Sequence, residues 1–439
     1  MSAAFDLVVA GAGPGGLAAA ATAAEAGMKV CLIDDNPAPG GQIWRSSVGK
    51  GPAAAAGAWL SRALNRQVDV RAGWRASLDA SVDGAPQKAL RVECNGRYDD
   101  IAFGALIIAT GARERFLPFP GWTLPGVVGA GGLQAFQKSG LDVAKKRIVV
   151  AGTGPLLLAV AANLRKAGAH ITAVIEQAPM GRLAGFGTGL AMRHPGKLVE
   201  GARFGAKLFG VPCRTGAWVS RATGETRLRS VTVASARGSK EFETDYLAIG
   251  YHLVANTELG QLFDCRIEDG YLKVDELQQT QVEGIYGVGE VTGIGGADKA
   301  LVEGRIAGLA AAGRAAEAKA LFEERDRWLR FARRLDTCFE LREELRALAD
   351  EETIVCRCED VAYKQLLSCR TWREAKIHTR CGMGPCQGRI CGPATEFLMG
   401  WTAPAPRPPL FPVEIAALSE PPTPLTESRA SAPASAHSS

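Results

Sequence analysis

The residues best suited to chemistry lie late in the chain, where five of the eleven cysteines fall between positions 356 and 391, besides Cys369. Cys356-Arg357-Cys358 is a C-x-C pair, and Cys386 and Cys391 form a C-x4-C pair beginning 28 residues after Cys358. Iron–sulfur clusters take thiolates in close pairs from loops, with glycines nearby so that backbone can wrap the inorganic sulfides. Cys381-Gly382-Met383-Gly384 stands just before the second pair and supplies such glycines. The pattern suits a [2Fe–2S] cluster on Cys356, Cys358, Cys386 and Cys391, with Cys381 as an alternative to one of them. Four thiolates also suit structural zinc, but zinc favours C-x2-C knuckles, and the sequence has none. Cys31, Cys94, Cys213, Cys265, Cys338 and Cys369 read as ordinary unreactive thiols.

A second centre of chemistry opens the chain. Gly11-Ala12-Gly13-Pro14-Gly15-Gly16 fits G-x-G-x-x-G. Gly11 permits a tight turn, Gly13 lets a pyrophosphate approach the backbone, and Gly16 lets the following helix pack on the strand, its N-terminus facing the phosphates. Asp34 ends the next apolar strand, where an acid holds the adenosine ribose. The pattern returns at Gly152-Thr153-Gly154-Pro155-Leu156-Leu157, with Glu176 as the strand-ending acid. Here Leu157 replaces the third glycine, which should push the helix off the strand and narrow the phosphate pocket. Glu176 disfavours the 2′-phosphate of NADP. The incomplete fingerprint leaves open NAD(H), another adenine nucleotide, or a structural remnant.

These groups need elements to position them. Residues 4–35 read as strand, glycine turn, alanine-rich helix and strand, and residues 147–176 repeat that order. β-rich segments follow each unit, and a charged helical connector covers roughly 315–349. Beyond Thr402 proline, alanine and serine dominate, and about the last 20 residues have the composition of a disordered tail. At 439 residues the chain is too long for one core and suggests about three folding units. A hydrophobic share of 47% with 22% charged residues is that of a soluble globular protein. The net charge of +5 is spread without a basic block, which argues against nucleic acid as a partner. Met1 to Asp6 has no cation ahead of its apolar run, so no signal peptide is expected. The apolar stretch at 156–164 falls short of the ~20 residues of a membrane span. A cytoplasmic location follows as the expectation. The five histidines are scattered, and no residue stands out as a catalytic base.

Three further segments carry a resemblance: Pro39-Gly40-Gly41-Gln42; the strand at 106–109 ending in Thr110-Gly111; and the strand at 284–288 ending in Gly289-Glu290. In this order they resemble the two-domain flavoproteins of the thioredoxin reductase superfamily over roughly residues 4–315. That resemblance implies FAD, with Gly41 and Gln42 passing the flavin and Thr110, Gly111, Gly289 and Glu290 lining its ribityl path. Glu290 departs from the usual Asp. Without a C-x2-C pair the electrons cannot leave through a closely spaced disulfide, which leaves the cluster as the acceptor.

Phe119–Val127, Ile354–Val361 and Gly382–Arg389 narrow the likeness. Together they resemble the α subunits of heteromeric, dye-linked amino-acid dehydrogenases, a family that includes the B subunit of hydrogen cyanide synthase, the A subunit of opine oxidase and the α subunit of D-hydroxyproline dehydrogenase. The C-terminal module resembles a bacterioferritin-associated-ferredoxin-type [2Fe–2S] domain. The resemblance implies an α/β fold, a Rossmann-like FAD domain with an inserted NAD-like domain, plus a small helical [2Fe–2S] module. The expected divisions are 1–118 with 241–315 for FAD, 119–240 for the insert, 316–351 for the connector, 352–400 for the cluster and 401–439 for the tail. It implies an electron-relay subunit whose substrate is oxidised on a D-amino-acid-oxidase-like flavoprotein β subunit. To the same implication belong a quinone or other acceptor, a small ferredoxin-like subunit, ATP in the second nucleotide domain, FMN at the subunit interface and peripheral membrane association through the complex. The alternative is a stand-alone NAD(P)H-dependent reductase.

Overall fold

The computed structural model describes residues 4–46, 51–81 and 88–419. Parallel strands covered on both faces must be apolar along their whole length, and Val30–Asp34 is buried at every position. It lies in a seven-stranded sheet beside Ala4–Ala10, which in turn pairs with Arg97–Ile108. Ile285–Gly287 returns from far along the chain to pair in parallel with Arg97–Ile108. Four strands therefore end side by side, at Ala10, Asp34, Ile108 and Gly287, and ligands of such sheets bind at these carboxyl ends.

The second sheet has five parallel strands in the order Cys213–Thr215, His170–Glu176, Arg147–Thr153, Tyr246–Tyr251 and Val127–Gly129. A three-stranded antiparallel sheet, from Ala217–Thr223 to Gly238–Glu243, is inserted in sequence between two of its strands, Cys213–Thr215 and Tyr246–Tyr251. The chain leaves the first unit along Ala112–Glu114 and comes back along Leu253–Ala255, and these two crossings pair antiparallel. This corrects one boundary. The return expected at 241 falls inside a strand of the insert, and Tyr246–Tyr251 pairs with Arg147–Thr153. An apolar strand carries no local mark of the sheet it joins.

The connector forms the helix Phe322–Phe339 and the short turn Glu343–Ala347. Leu345 and Leu348 are buried in the core of the second unit, together with Phe397 from the cysteine region. The Pro-rich stretch after 402 is not all tail: Leu410 is buried against the first sheet and its N–H donates to the Ser77 carbonyl. Arg91, paired with Asp100, also donates to the Ala417 carbonyl. The tail end expected to be disordered, 420–439, lies outside the described residues.

Two helices follow the second ribose-position acid, Met180–Arg193 and Pro195–Lys207. His194 is the pivot between them, buried with its ring centroid 5.2 Å from that of Trp328 and 5.1 Å from that of Phe331. Burial holds its pKa below the usual histidine value, reinforced by Arg327, Arg334, Arg330 and Lys197. In the unfolded chain the imidazole takes up a proton below about pH 6.5, where the folded chain resists. The unfolded state then binds more protons, so stability falls as pH drops through that value. Melting temperatures measured from neutral pH down to about pH 5 should therefore fall further for the wild type than for His194→Phe.

Candidate flavin and metal sites

The first glycine turn is built by contact. A Cβ on Gly16 would lie 1.7 Å from the Gly11 carbonyl oxygen, so only glycine lets the Pro14–Glu25 helix begin this close to its strand. Asp34 secures the turn: its carboxylate accepts from the N–H of Ala12 at 2.5 Å and from the N–H and side-chain amide of Asn36 at 2.8 and 2.7 Å. Gly41 lies against Gly13, and Gln42 is exposed one residue further on. The free N–H groups at this helix N-terminus favour a pyrophosphate.

The third segment meets the first at Gly15, where Val288 and Ala300 pack close. Glu290 is half-buried and accepts from the N–H groups of Gly295 and Gly296 at 3.1 and 2.8 Å, and loss of solvent around the carboxyl raises its pKa. Beneath it Lys299 and Glu303 form an ion pair with both side chains fully buried. Lys299 donates to the Gly289 carbonyl and to Thr292, while Glu303 accepts from the Gly289 N–H and from Thr292. This network sets the turn that carries Gly289 and Glu290. Nothing in the motif marks it; the only signal is a Lys and a Glu spaced i,i+4 on a helix whose other charges are Asp298 and Arg305.

Thr110 and Gly111 are clamped from across the gap between the units. Thr110 Oγ1 donates to the Asn256 carbonyl at 2.6 Å, the Asn256 amide donates back at 2.9 Å, and the Asn256 N–H reaches the Gly111 carbonyl. Arg113 then donates to Asn256 Oδ1 at 2.7 Å, pairs with Glu258 at 2.9 Å and donates to the Arg389 carbonyl at 3.1 Å. Arg389 lies between Cys386 and Cys391. Arg113, Asn256 and Glu258 carried no sequence signal, because their partners lie far away in the chain, Asn256 143 and Arg389 276 residues from Arg113.

At the second turn Glu176 plays the part of Asp34, accepting from Thr153 Oγ1 at 2.7 Å and from the N–H groups of Gly154 and Ala178 at 2.8 Å. Burial raises its pKa. Gly152 takes a left-handed φ of 133°. Leu157 is buried in the core of this unit, and its helix starts at Leu156, one position later in the motif than the helix starting at Pro14. Gln177 also donates to Thr153 and to the Glu340 carbonyl, which brings the connector against this turn.

Cys356, Cys358, Cys386 and Cys391 line one cavity of about 150 Å³ together with Phe116, Trp122, Arg357 and Ile390. Trp122 Nε1 donates to the Ile354 carbonyl at 2.5 Å, and the Arg357 guanidinium stacks over the Trp122 ring. A Cβ on Gly384 would lie 2.2 Å from the Cys358 Cβ, so glycine there lets the second loop close on the first. The sulfurs of Cys356, Cys381 and Cys391 lie within 4.8 Å of one another, all buried. Thiols of Cys381 and Cys391 donate to Cys356 and hold its pKa down to about 2, while Cys381 is pushed up to about 12 and Cys391 is raised. Cys358 is exposed and Cys386 half-buried, and burial raises the Cys358 thiol. Cys369 and the five cysteines before 350 stand outside this group.

The profile of the pyridine nucleotide-disulphide oxidoreductase family matches residues 5–316. The HcnB subunit of hydrogen cyanide synthase from Pseudomonas aeruginosa is 31% identical over 93% of this chain and 97% of its own length. The opine oxidase A subunit of Rhizobium meliloti strain 1021 is 33% identical over 95% of this chain and 99% of its own. This chain belongs to their family. It is an FAD-dependent oxidoreductase of that group. The fold is that of the solved L-proline dehydrogenase from P. horikoshii, with a TM-score of 0.67 at 18% identity over 95% of this chain and 80% of that one. Among the described residues no helix is long and apolar enough to cross a membrane.

Removing one partner of the buried Lys299–Glu303 pair leaves an uncompensated charge, which costs about 3–5 kcal/mol. Glu303→Ala should lower the unfolding free energy by that amount, as read by chemical denaturation, and reduce the flavin content of the purified protein, as read by visible absorbance.

Proposed function

We propose that this chain is the electron-relay subunit of a heteromeric dehydrogenase for amino or imino acids of the hydroxyproline, proline, opine or glycine type. The observation that carries this reading is the single cavity lined by Cys356, Cys358, Cys386 and Cys391, joined through Arg389, Arg113 and Asn256 to the Thr110–Gly111 turn. The names of the relatives support it, since they describe subunits of a synthase and of oxidases. The substrate is oxidised on a D-amino-acid-oxidase-like flavoprotein partner. A small ferredoxin-like subunit and a quinone or similar acceptor complete the path, and the complex is cytoplasmic with peripheral membrane contact.

The donor set fits a [2Fe–2S] cluster: four thiols meet at one cavity, and the buried trio already favours one thiolate without a metal. Cys356, Cys358, Cys386 and Cys391 would hold it, and it would supply one-electron chemistry. The Gly11–Gly16 turn would hold the FAD pyrophosphate, Asp34 its ribose, and Gly41, Gln42, Thr110, Gly111, Gly289 and Glu290 its ribityl and flavin region. Arg113 and Asn256 hold the flavin-side turn and the cysteine loop in one register. Gly152, Gly154 and Glu176 fit an adenine nucleotide, NAD(H) or ATP, and an interface FMN belongs between this chain and its partner.

Iron and acid-labile sulfide should be present in equal amounts in anaerobically isolated protein. Cys358→Ser and Cys386→Ser should each lose both, whereas Cys381→Ser keeps them; the reverse pattern would move the ligand set to the buried trio. Anaerobic NADH should leave the flavin of the isolated chain oxidised, while the partner's substrate bleaches it in the complex. Rapid bleaching by NADH alone would instead favour a stand-alone reductase, a reading that the preserved turn at Gly152 and Glu176 keeps alive.

A further inference from the structure

The second glycine turn is preserved, yet the surface to one side of it is occupied. In the second sheet the strand Arg147–Thr153 ends in that turn. It has His170–Glu176 on one side, and Tyr246–Tyr251 and then Val127–Gly129 on the other. A dinucleotide lies across the carboxyl ends of such strands, with its pyrophosphate at the glycine turn and its adenosine ribose on the strand-ending acid. Glu176 fixes the adenosine on the His170–Glu176 side. The half beyond the pyrophosphate must then run the opposite way, over the ends of Tyr246–Tyr251 and Val127–Gly129.

Glu114 stands at those ends. It closes the crossing strand Ala112–Glu114 and is half-buried. Its carboxylate accepts from the N–H groups of Gly131 and Gly132 at 2.8 and 3.1 Å, in the first turn of the helix Ala130–Lys138. A Cβ on Gly129 would lie 2.3 Å from Glu114 Oε2 and 3.0 Å from Phe116 Cζ, and a Cβ on Gly250 would lie 3.2 Å from Glu114 Oε1. The carboxylate therefore rests against the backbone at the ends of both strands. The helix N-terminus, which suits a ligand phosphate, is matched by an acid of the same chain. The turn itself keeps its space: a Cβ on Gly154 would meet no atom within 4 Å among the described residues. The first turn differs on the corresponding side. There the neighbouring strand Arg97–Ile108 leads on to Gly111, where an added Cβ would also meet nothing within 4 Å among the described residues.

We propose that Glu114 is the specificity-determining residue of the second nucleotide turn: its side chain fills the place of the half beyond the pyrophosphate, so the turn takes an adenosine polyphosphate and excludes a dinucleotide. This rests on the reading of Gly152, Gly154 and Glu176 as an adenine-nucleotide turn and decides among the ligands named there. Sites discriminate by occupied volume and unmatched polar groups placed where the wrong ligand differs. NAD carries a second ribose and a carboxamide ring at that place, whereas ADP and ATP end at their phosphates. Moving Glu114 aside to admit them would strand the N–H groups of Gly131 and Gly132.

Titration calorimetry of the full chain with ADP, ADP-ribose and NAD+ reads this without turnover. In the wild type affinity should fall along that series, by at least about tenfold from ADP to NAD+. Glu114→Ala should raise the affinity for NAD+ at least about tenfold and leave that for ADP within about twofold. Glu114→Gln keeps the volume and should exclude NAD+ as the wild type does. Flavin absorbance and melting temperature report whether each variant is folded, and the wild-type series alone decides the matter where Glu114→Ala is not. Wild-type protein that binds NAD+ as tightly as ADP would overturn the proposal. So would a Glu114→Ala chain with an unchanged ratio of the two affinities, or a Glu114→Gln chain that admits NAD+ as Glu114→Ala does. If neither the wild type nor Glu114→Ala binds any of the three, the second turn holds no nucleotide and the proposal falls, while iron and sulfide content still tests the relay reading on its own.

Discussion

Arg113 is the residue on which the arrangement of the two sites depends. Its guanidinium reaches Asn256, Glu258 and the Arg389 carbonyl at once, and Asn256 in turn holds the Thr110–Gly111 turn. One side chain therefore fixes the distance between the flavin-side turn and the loop carrying Cys386 and Cys391. Arg389 shares the Glu258 carboxylate at 3.5 Å. Two cations on one largely buried acid are stable only because every polar group there has a partner, and losing one member would strand the others.

The surrounding structure serves that junction. The paired crossings Ala112–Glu114 and Leu253–Ala255 carry Arg113 on one strand and lead directly to Asn256 on the other. The cysteine region is pinned independently, by Trp122 to the Ile354 carbonyl and by Phe397 in the core of the second unit. The Pro-rich stretch near Leu410 then returns to the first sheet and accepts from Arg389 through the Leu410 carbonyl. The small module is thus held by both larger units, which suits a domain too small to bury much apolar surface alone.

Within that module the thiols are unequal. Cys356 is the favoured anion because its two buried neighbours donate to it, and those neighbours keep their protons for the same reason. Cys358 and Cys386 stand nearer to solvent. Cys381 completes the buried group of three, so the thiols that gather most tightly are not the two sequence pairs.

The glycine turns, the acids at Asp34 and Glu176 and the cysteine pairs were legible in the sequence because each depends on neighbours a few residues apart, and local spacing survives in one dimension. The two βαβ units were legible for the same reason, from strand, turn and helix repeated in order, whereas the flavoprotein architecture was legible only through the resemblance carried by the segments at 39–42, 106–111 and 284–290. Tertiary structure alone decided the rest. It assigned Tyr246–Tyr251 to the second sheet, since an apolar strand is compatible with either. It brought Arg113 to Arg389 across 276 residues, drew Cys381 to Cys356 and buried Lys299 against Glu303. These are long-range pairings, selected by packing and by the cost of leaving a buried charge or donor unmatched, and no window of sequence contains both partners and the space between them.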